Sequence, residues 1–493
     1  MFIELEVKYR NKKGMHMNSQ ALKEVFLYLP AKLIEGIAGI VMIALYSRLL
    51  SPGEYGQYGF INSFVMMSYI LVVGWLMHSS YRNINKPVRN QEKKEFYSTV
   101  WIAWILLQAV FLGMITILYL SLPTVRSWMA LTGLMFLPYS GVQLLMAHMS
   151  GLKKVGYALL LSTATILLKL LLAWIFNHLT EPLMAVVLAH GLADALFFSI
   201  VIIRTGVQKN IKLSFFNKSV LKDFYQYGIP LTGMALSMSI INMSDRFIIG
   251  LKVNEAAAGF YTANYTIASA SFTLIMVGVI RAFYPNILRS FEHGMDRGMN
   301  SVWEGLRIFL MLGLPGATGL VILSNEVSTG IVEAQYAEAS PIIGFVAISM
   351  LILGISEYLI KPLELAKKTR PIFKASISAA IVNLSLNFLL IPVYGYMAAG
   401  VTTLIAYVAY VAVILYGART EKRVPITWLS VLRIGSASLA MGLFVHYAKG
   451  FISNLLSMGA VILISAVLYF VLLTLTHELD DEYGLIFSRI RKG

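Results

Sequence analysis

The chain has 493 residues, of which 58% are hydrophobic and 13% charged, and its mean hydropathy is +0.72. These values lie outside the range of soluble domains and make it an integral membrane protein. The formal charge of +15 is spread over loops between apolar runs, which argues against a nucleic-acid partner, and the absence of cysteine excludes disulfides and thiolate metal or redox sites.

The opening residues are polar, with Lys8, Arg10, Lys12 and Lys13 but no apolar core or small-residue cleavage site, so the N-terminal arm is expected to stay in the cytosol. About fourteen apolar runs follow, each of about 20 residues and able to cross roughly 30 Å of hydrocarbon as a helix. They centre on Ile37, Tyr69, Leu107, Phe136, Ile166, Phe197, Ser239, Ala270, Leu314, Leu351, Asn383, Tyr407, Leu439 and Leu463. Long continuous runs predict an all-α polytopic protein, not a barrel of short alternating strands. Most of the 40 Lys and Arg residues fall in alternate connections: the arm, 81–95, 153–154, 204–222, 281–307, 361–374, 419–433 and the tail. The intervening loops carry only Arg48, Arg126, Arg246, Lys252 and Lys449. This bias predicts an even number of spans in the cytoplasmic membrane with both termini cytoplasmic. Trp101, Trp128 and Trp428 are expected in the interfacial belts, and Gly313, Pro315, Gly316 and Gly319 mark the ninth span as bendable or kinked.

The hairpin opened by Pro30 repeats later in the chain. In the first copy an apolar run reaches Ser47-Arg48, turns at Ser51-Pro52-Gly53 and continues through Glu54-Tyr55-Gly56-Gln57-Tyr58-Gly59. In the second, Pro230 opens a run that reaches Ser244-Asp245-Arg246, and Glu255 with Gly259-Phe260-Tyr261 leads onward. The repeat predicts duplicated, parallel halves. The expected divisions are an arm at 1–24, a six-helix bundle at 25–205, a basic linker at 206–222, a second six-helix bundle at 223–420, two accessory helices at 421–476 and a tail at 477–493. Aligning Pro30 with Pro230 sets Lys32 against Thr232 and Glu35 against Ala235, so the scaffold repeats while the charges do not. The unrepeated charges of the first copy are therefore where function is expected to have diverged.

No phosphate-binding glycine loop, H-E-x-x-H helix or metal-ligand cluster occurs. The informative residues are ionisable groups within spans, where each costs about 2.5–3.5 kcal/mol at a helix centre. Lys32 and Glu35 form either a self-satisfied interfacial pair or, through Lys32, a cation offered to an anionic headgroup. Lys169 has no acidic residue at i±3 or i±4, so it either finds a partner on another span or lines a cavity. His190 and Asp194, four apart, are a packed pair or a proton-sensitive gate. Arg48 and the Asp245-Arg246 motif are expected at the outer ends of the first and seventh spans, as interfacial anchors or, for Arg48, as a further headgroup cation. Glu357 and Lys361 are expected to pair, and Asn383 and Asn387 to bond neighbouring helices or sugar hydroxyls.

The Arg48-to-Gly59 turn, its echo Asp245-Arg246-Phe247-Ile248-Ile249-Gly250 with Ala258-Gly259-Phe260-Tyr261, and the Ile391-Pro392-Val393-Tyr394-Gly395-Tyr396-Met397-Ala398-Ala399-Gly400 connection resemble the polysaccharide-repeat-unit flippases of the multidrug, oligosaccharidyl-lipid and polysaccharide exporter superfamily. The resemblance covers nearly the whole chain. It implies two six-helix bundles plus two accessory helices around a central cavity. The implied activity is alternating-access transfer of a polyprenyl-diphosphate-linked oligosaccharide from the inner to the outer leaflet for O-antigen, capsule or exopolysaccharide assembly. The implied partners are the bilayer, glycosyltransferases and a glycan polymerase. No cofactor is implied, and a proton or a sodium ion is the coupling-ion alternative to drive by membrane potential alone. The competing readings are a peptidoglycan-precursor flippase, a multidrug or cation antiporter and, from another class, an intramembrane glycosyltransferase or polymerase.

Overall fold

The computed structural model describes residues 19–87, 89–121, 126–152 and 154–479, with side chains of the first helix described from Ile34 onward. The helices are α1 (Ser19–Leu49), α2 (Pro52–Val72), α3 (Gly74–Asn83), α4 (Asn90–Ser121), α5 (Arg126–Gly151), α6 (Val155–Phe176), α7 (Pro182–Thr205), α8 (Lys218–Lys252) and α9 (Glu255–Glu292). They continue with α10 (Met295–Ile322), α11 (Ser324–Ile331), α12 (Pro341–Leu359), α13 (Lys361–Leu365), α14 (Thr369–Tyr394), α15 (Tyr396–Gly417), α16 (Trp428–Ala448) and α17 (Leu455–Leu475). No strand occurs among the described residues. Twelve described helices are long and apolar enough to span a membrane, and the α2/α3 pair, bent by 56° at its break, makes a thirteenth. With α1, a 31-residue helix, this approximates the fourteen expected from hydropathy. The bend falls at Val73-Gly74, where glycine weakens the helix without stopping its hydrogen bonds: Val73 still donates to Tyr69 (2.9 Å) and Met77 to Val73 (3.0 Å).

The chain forms two compact units. One contains residues up to Gly39 together with Ser68–Thr232. Its spans α4 to α7 pack around Trp101, Phe111 and Phe136, and Trp104 and Gln108 both donate to Ser140 (3.2 and 3.0 Å). The beginning of α8 closes on α3: Ser79 donates to the Phe224 carbonyl (2.6 Å), and a Cβ at Gly228 would stand 2.1 Å from the Trp75 carbonyl.

The other unit contains Ile40–Met67 with the chain from Gly233 onward. The tips of the two repeated hairpins meet inside it. Their helices start alike: the Glu54 N–H donates to the Ser51 hydroxyl (3.4 Å), and the Ala257 N–H donates to the Asn254 side chain (2.7 Å). A Cβ at Gly56 would lie 2.0 Å from the Glu255 carbonyl oxygen, and one at Gly259 would lie 1.9 Å from the Pro52 carbonyl oxygen. Gly56 and Gly259 are thus equivalent positions of the repeat, each the opening through which the other copy's backbone passes. Gln57 donates to Glu255 (2.6 Å), Phe60 stacks on Phe247 (5.8 Å), and Tyr336 packs on Tyr55 and Phe260 while donating to the Leu50 carbonyl (3.1 Å).

At the other end of this unit, ion pairs hold the ends of α16 and α17. The Glu478 carboxylate, almost fully buried, meets Arg307 at 3.2 Å and Arg433 at 3.7 Å. Lys422 pairs with Asp296, and Lys368 donates to Glu421, whose carboxyl that hydrogen bond holds below its usual range.

A methyl group has no room at the glycine crossing, and overpacking of this kind costs about 1–3 kcal/mol. Gly56→Ala and Gly259→Ala should each lower the unfolding midpoint of the purified protein in scanning fluorimetry by several degrees. Gly53→Ala, where a Cβ would meet nothing within 4 Å, should leave it unchanged.

Candidate functional site

In each unit one buried group of ionisable side chains inside the spans brings polar side chains of different helices together. In the first unit Lys169 on α6 meets Asp194 on α7, with Nζ 2.8 Å from Oδ1 and 3.0 Å from Oδ2. Both side chains are largely buried. The sequence offered Lys169 no partner on its own helix, and the fold supplies one on the next. Its charge is therefore engaged, and Asp194 serves α6 rather than only His190 one turn away. His190 is itself buried. Glu35 is half-buried on α1, and the side chain of Lys32 lies outside the described residues.

In the second unit a larger polar cluster is built from α8, α9, α14 and α15. Asp245 is completely buried and accepts from Tyr261 and from Thr403 (3.3 Å), while its Oδ1 has no hydrogen-bond partner among the described residues. Arg246, also buried, donates to the Asn242 carbonyl and lies 4.6 Å from the Tyr265 ring centre and 6.0 Å from that of Tyr261. The Asn242 amide oxygen accepts from Tyr407 (2.7 Å) and Tyr265 (3.1 Å). Ser244 donates to Asn383 (3.2 Å), Asn387 donates to Asn383 (3.1 Å), and Thr402 donates to Asn387. The motif expected as an interfacial anchor is thus interior, because neighbouring helices cover it and bond one oxygen of its carboxylate. Asn383 and Asn387 are completely buried, and their amides bond α8, α15 and each other.

This cluster brings carboxylate, amide and hydroxyl oxygens together. That donor set suits a hard cation or a proton, not a transition metal. No group of three or more His, Cys, Asp or Glu able to hold a metal exists among the described residues. Sequence reasoning missed Asn242, Tyr261, Tyr265, Thr402, Thr403 and Tyr407 as members. The only available signal was the four-residue spacing of Tyr261 and Tyr265, which places them on one face of α9.

The remaining charges stand apart. Arg48 is exposed and donates to the carbonyls of Ala44 (2.6 Å) and Ile331 (3.3 Å). Lys361 pairs with Glu364 (2.7 Å) rather than the expected Glu357, and its ammonium lies 5.2 Å from the Tyr284 ring centre. Ile360 keeps helical backbone (φ −77°, ψ −18°) within the span Pro341–Leu365, and the Lys361 side chain takes the carboxylate one turn on while its charge still acts on Glu357. An apolar groove of about 290 Å³ runs between α10 and the α16/α17 pair, lined by Met311, Pro315, Gly319, Met441, Ile462 and Tyr469.

The chain is a polytopic helical bundle whose described helices are long and apolar enough to cross a membrane twelve or thirteen times. A solved structure of the lipid II flippase MurJ in an inward closed conformation superposes on 94% of this chain and all of its own, with a TM-score of 0.73 and 14% identity. An inward-facing multidrug resistance transporter of the MATE family covers 78% of this chain and 94% of its own, with a TM-score of 0.57 and 14% identity. Residues 21–291 match the model of a family described as polysaccharide biosynthesis proteins, and the chain belongs to that family. Probable flippase AglR of Haloferax volcanii is 24% identical over 318 residues. That alignment spans 60% of this chain and 64% of AglR.

Removing one partner of a buried ion pair costs about 3–5 kcal/mol, whereas replacing both with apolar groups is far less costly. Lys169→Met and Asp194→Leu should each lower the unfolding midpoint sharply. The double variant should recover most of the loss, as a thermal-unfolding cycle on purified protein would show.

Proposed function

We propose that the chain is a flippase that carries a polyprenyl-diphosphate-linked oligosaccharide from the inner to the outer leaflet of the cytoplasmic membrane for surface polysaccharide assembly. The observation that carries this reading is the family match over residues 21–291. The MurJ-like fold over nearly the full chain and the likeness to AglR support it.

The physics of the task fits such a fold. Each sugar hydroxyl loses several kcal/mol if taken unpaired into hydrocarbon, so unaided flipping is slow. A polar path removes that barrier while the polyprenyl chain stays in an apolar medium, for which the groove beside α10 is suited. Alternating access moves the headgroup without opening a continuous pore. With the cytoplasm negative, outward movement of an anionic diphosphate is favoured by about 2.3 kcal/mol per charge per 100 mV. Lys32 is the proposed headgroup cation. The proposed place for a coupling cation, sodium or a proton, is the Asp245 cluster, whose buried Oδ1 has no hydrogen-bond partner among the described residues. His190 and Asp194 stay as the alternative, with Lys169 holding Asp194 in place. The full-length likeness to the lipid II flippase favours a second reading, transfer of a peptidoglycan precursor.

Deleting the coding region should abolish surface polysaccharide and leave lipid-linked repeat units behind on the cytoplasmic side. A drug-susceptibility change with normal surface glycan would overturn the reading, and rescue of a strain lacking its peptidoglycan-precursor flippase would transfer it to the second one. In the complemented strain Lys32→Ala should lower glycan display at least tenfold at equal membrane abundance, with Lys32→Arg partly active. Asp245→Asn should remove any dependence of transport on the cation gradient, measured at constant membrane potential.

A further inference from the structure

The connection between α7 and α8 is a built surface. Gly206 ends α7 in the left-handed conformation (φ 64°), and the chain then makes two short 3-10 turns, Val207–Asn210 and Leu213–Phe215, joined by extended backbone at Ile211 and Lys212. Three hydrogen bonds pin it to the first turns of α4: the Lys212 N–H donates to Ser98 (3.1 Å), the Asn217 N–H to Thr99 (3.0 Å), and the Asn217 side chain to Glu95 (3.0 Å). Ser98 and Thr99 are fully buried, so the anchor points belong to the bundle core. Lys94 lies over the Phe215 ring at 5.6 Å. The pinning turns Lys209, Lys212 and Leu213 outward, and Leu213 is 78% exposed.

The flanking spans fix the depth of this segment. Thr205 ends one membrane-crossing helix and Lys218 starts another. α8 has 35 residues, about 52 Å of helix against roughly 30 Å of hydrocarbon, so its first turns stand in the headgroup region. A large exposed leucine flanked by lysines at that depth has the chemistry of an interfacial anchor. On α4, Glu95 accepts from Asn217 and Glu92 lies 3.9 Å from Arg89, so both carboxylates have partners other than Lys94, Lys209 and Lys212.

We propose that linker 206–217 is a binding surface for anionic phospholipid. Leu213 enters the acyl boundary, and Lys94, Lys209 and Lys212 hold the lipid phosphate. Because the backbone is already fixed by α4, little ordering accompanies binding. The inference is independent of which molecule the protein transports.

The test uses the full chain. Native mass spectrometry with phosphatidylglycerol and phosphatidylcholine should show tighter retention of the anionic lipid. Each lysine is expected to contribute about fivefold. A Lys94→Ala/Lys209→Ala/Lys212→Ala variant should therefore lose at least tenfold in phosphatidylglycerol affinity with phosphatidylcholine unchanged, and the corresponding Lys→Arg set should keep the preference. The chain has no cysteine, so Leu213→Cys can be labelled at one place with an environment-sensitive fluorophore. Brominated acyl chains should quench it in phosphatidylglycerol bilayers. Equal affinity for the two lipids, a preference unaffected by the triple replacement, or an unquenched label would overturn the proposal.

Discussion

In hydrocarbon a charge or polar group must find its partner inside the protein, and the arrangement of this chain follows from that constraint. Lys169 cannot be satisfied by its own helix, so α6 and α7 are fixed by the ion pair with Asp194. Asp245 and Arg246, adjacent in sequence, are covered by α9 and α15, whose hydroxyl and ring groups attend them. Each buried charge selects which helices sit beside it. A polar span in such a protein is therefore both a packing instruction and a candidate for function.

Duplication supplies the scaffold on which those charges diverge. The repeated hairpins do more than resemble each other: at their tips Gly56 and Gly259 let the two backbones pass, each against the other's helix start. The same small residue serves equivalent positions because any side chain would hold the tips apart. Away from the tips the copies differ. Arg48 of the first copy lies exposed and bonds backbone carbonyls, while Asp245 and Arg246 of the second are drawn into the interior.

The helical architecture and span positions were legible because the bilayer imposes length and hydropathy on every crossing segment. What depends on a second helix was not. Nothing within the sixth span announces that its aspartate belongs to Lys169, and the depth of Asp245 is invisible until α9 and α15 cover it. Spacing along one helix also left a choice open: Lys361 has a carboxylate within one turn on either side, and its ammonium takes Glu364. The linker at 206–217 reads as a basic connection, and only its hydrogen bonds to Ser98 and Thr99 reveal a fixed surface.

The proposed transfer of a lipid-linked glycan headgroup across a bilayer is most directly tested with purified protein in sealed vesicles containing a polyprenyl-diphosphate oligosaccharide. A glycosidase added outside reports which headgroups have reached the outer leaflet. Vesicles holding the protein should expose the inner pool to the enzyme within minutes, whereas protein-free vesicles protect it. Protection that is the same with and without the protein would contradict the account.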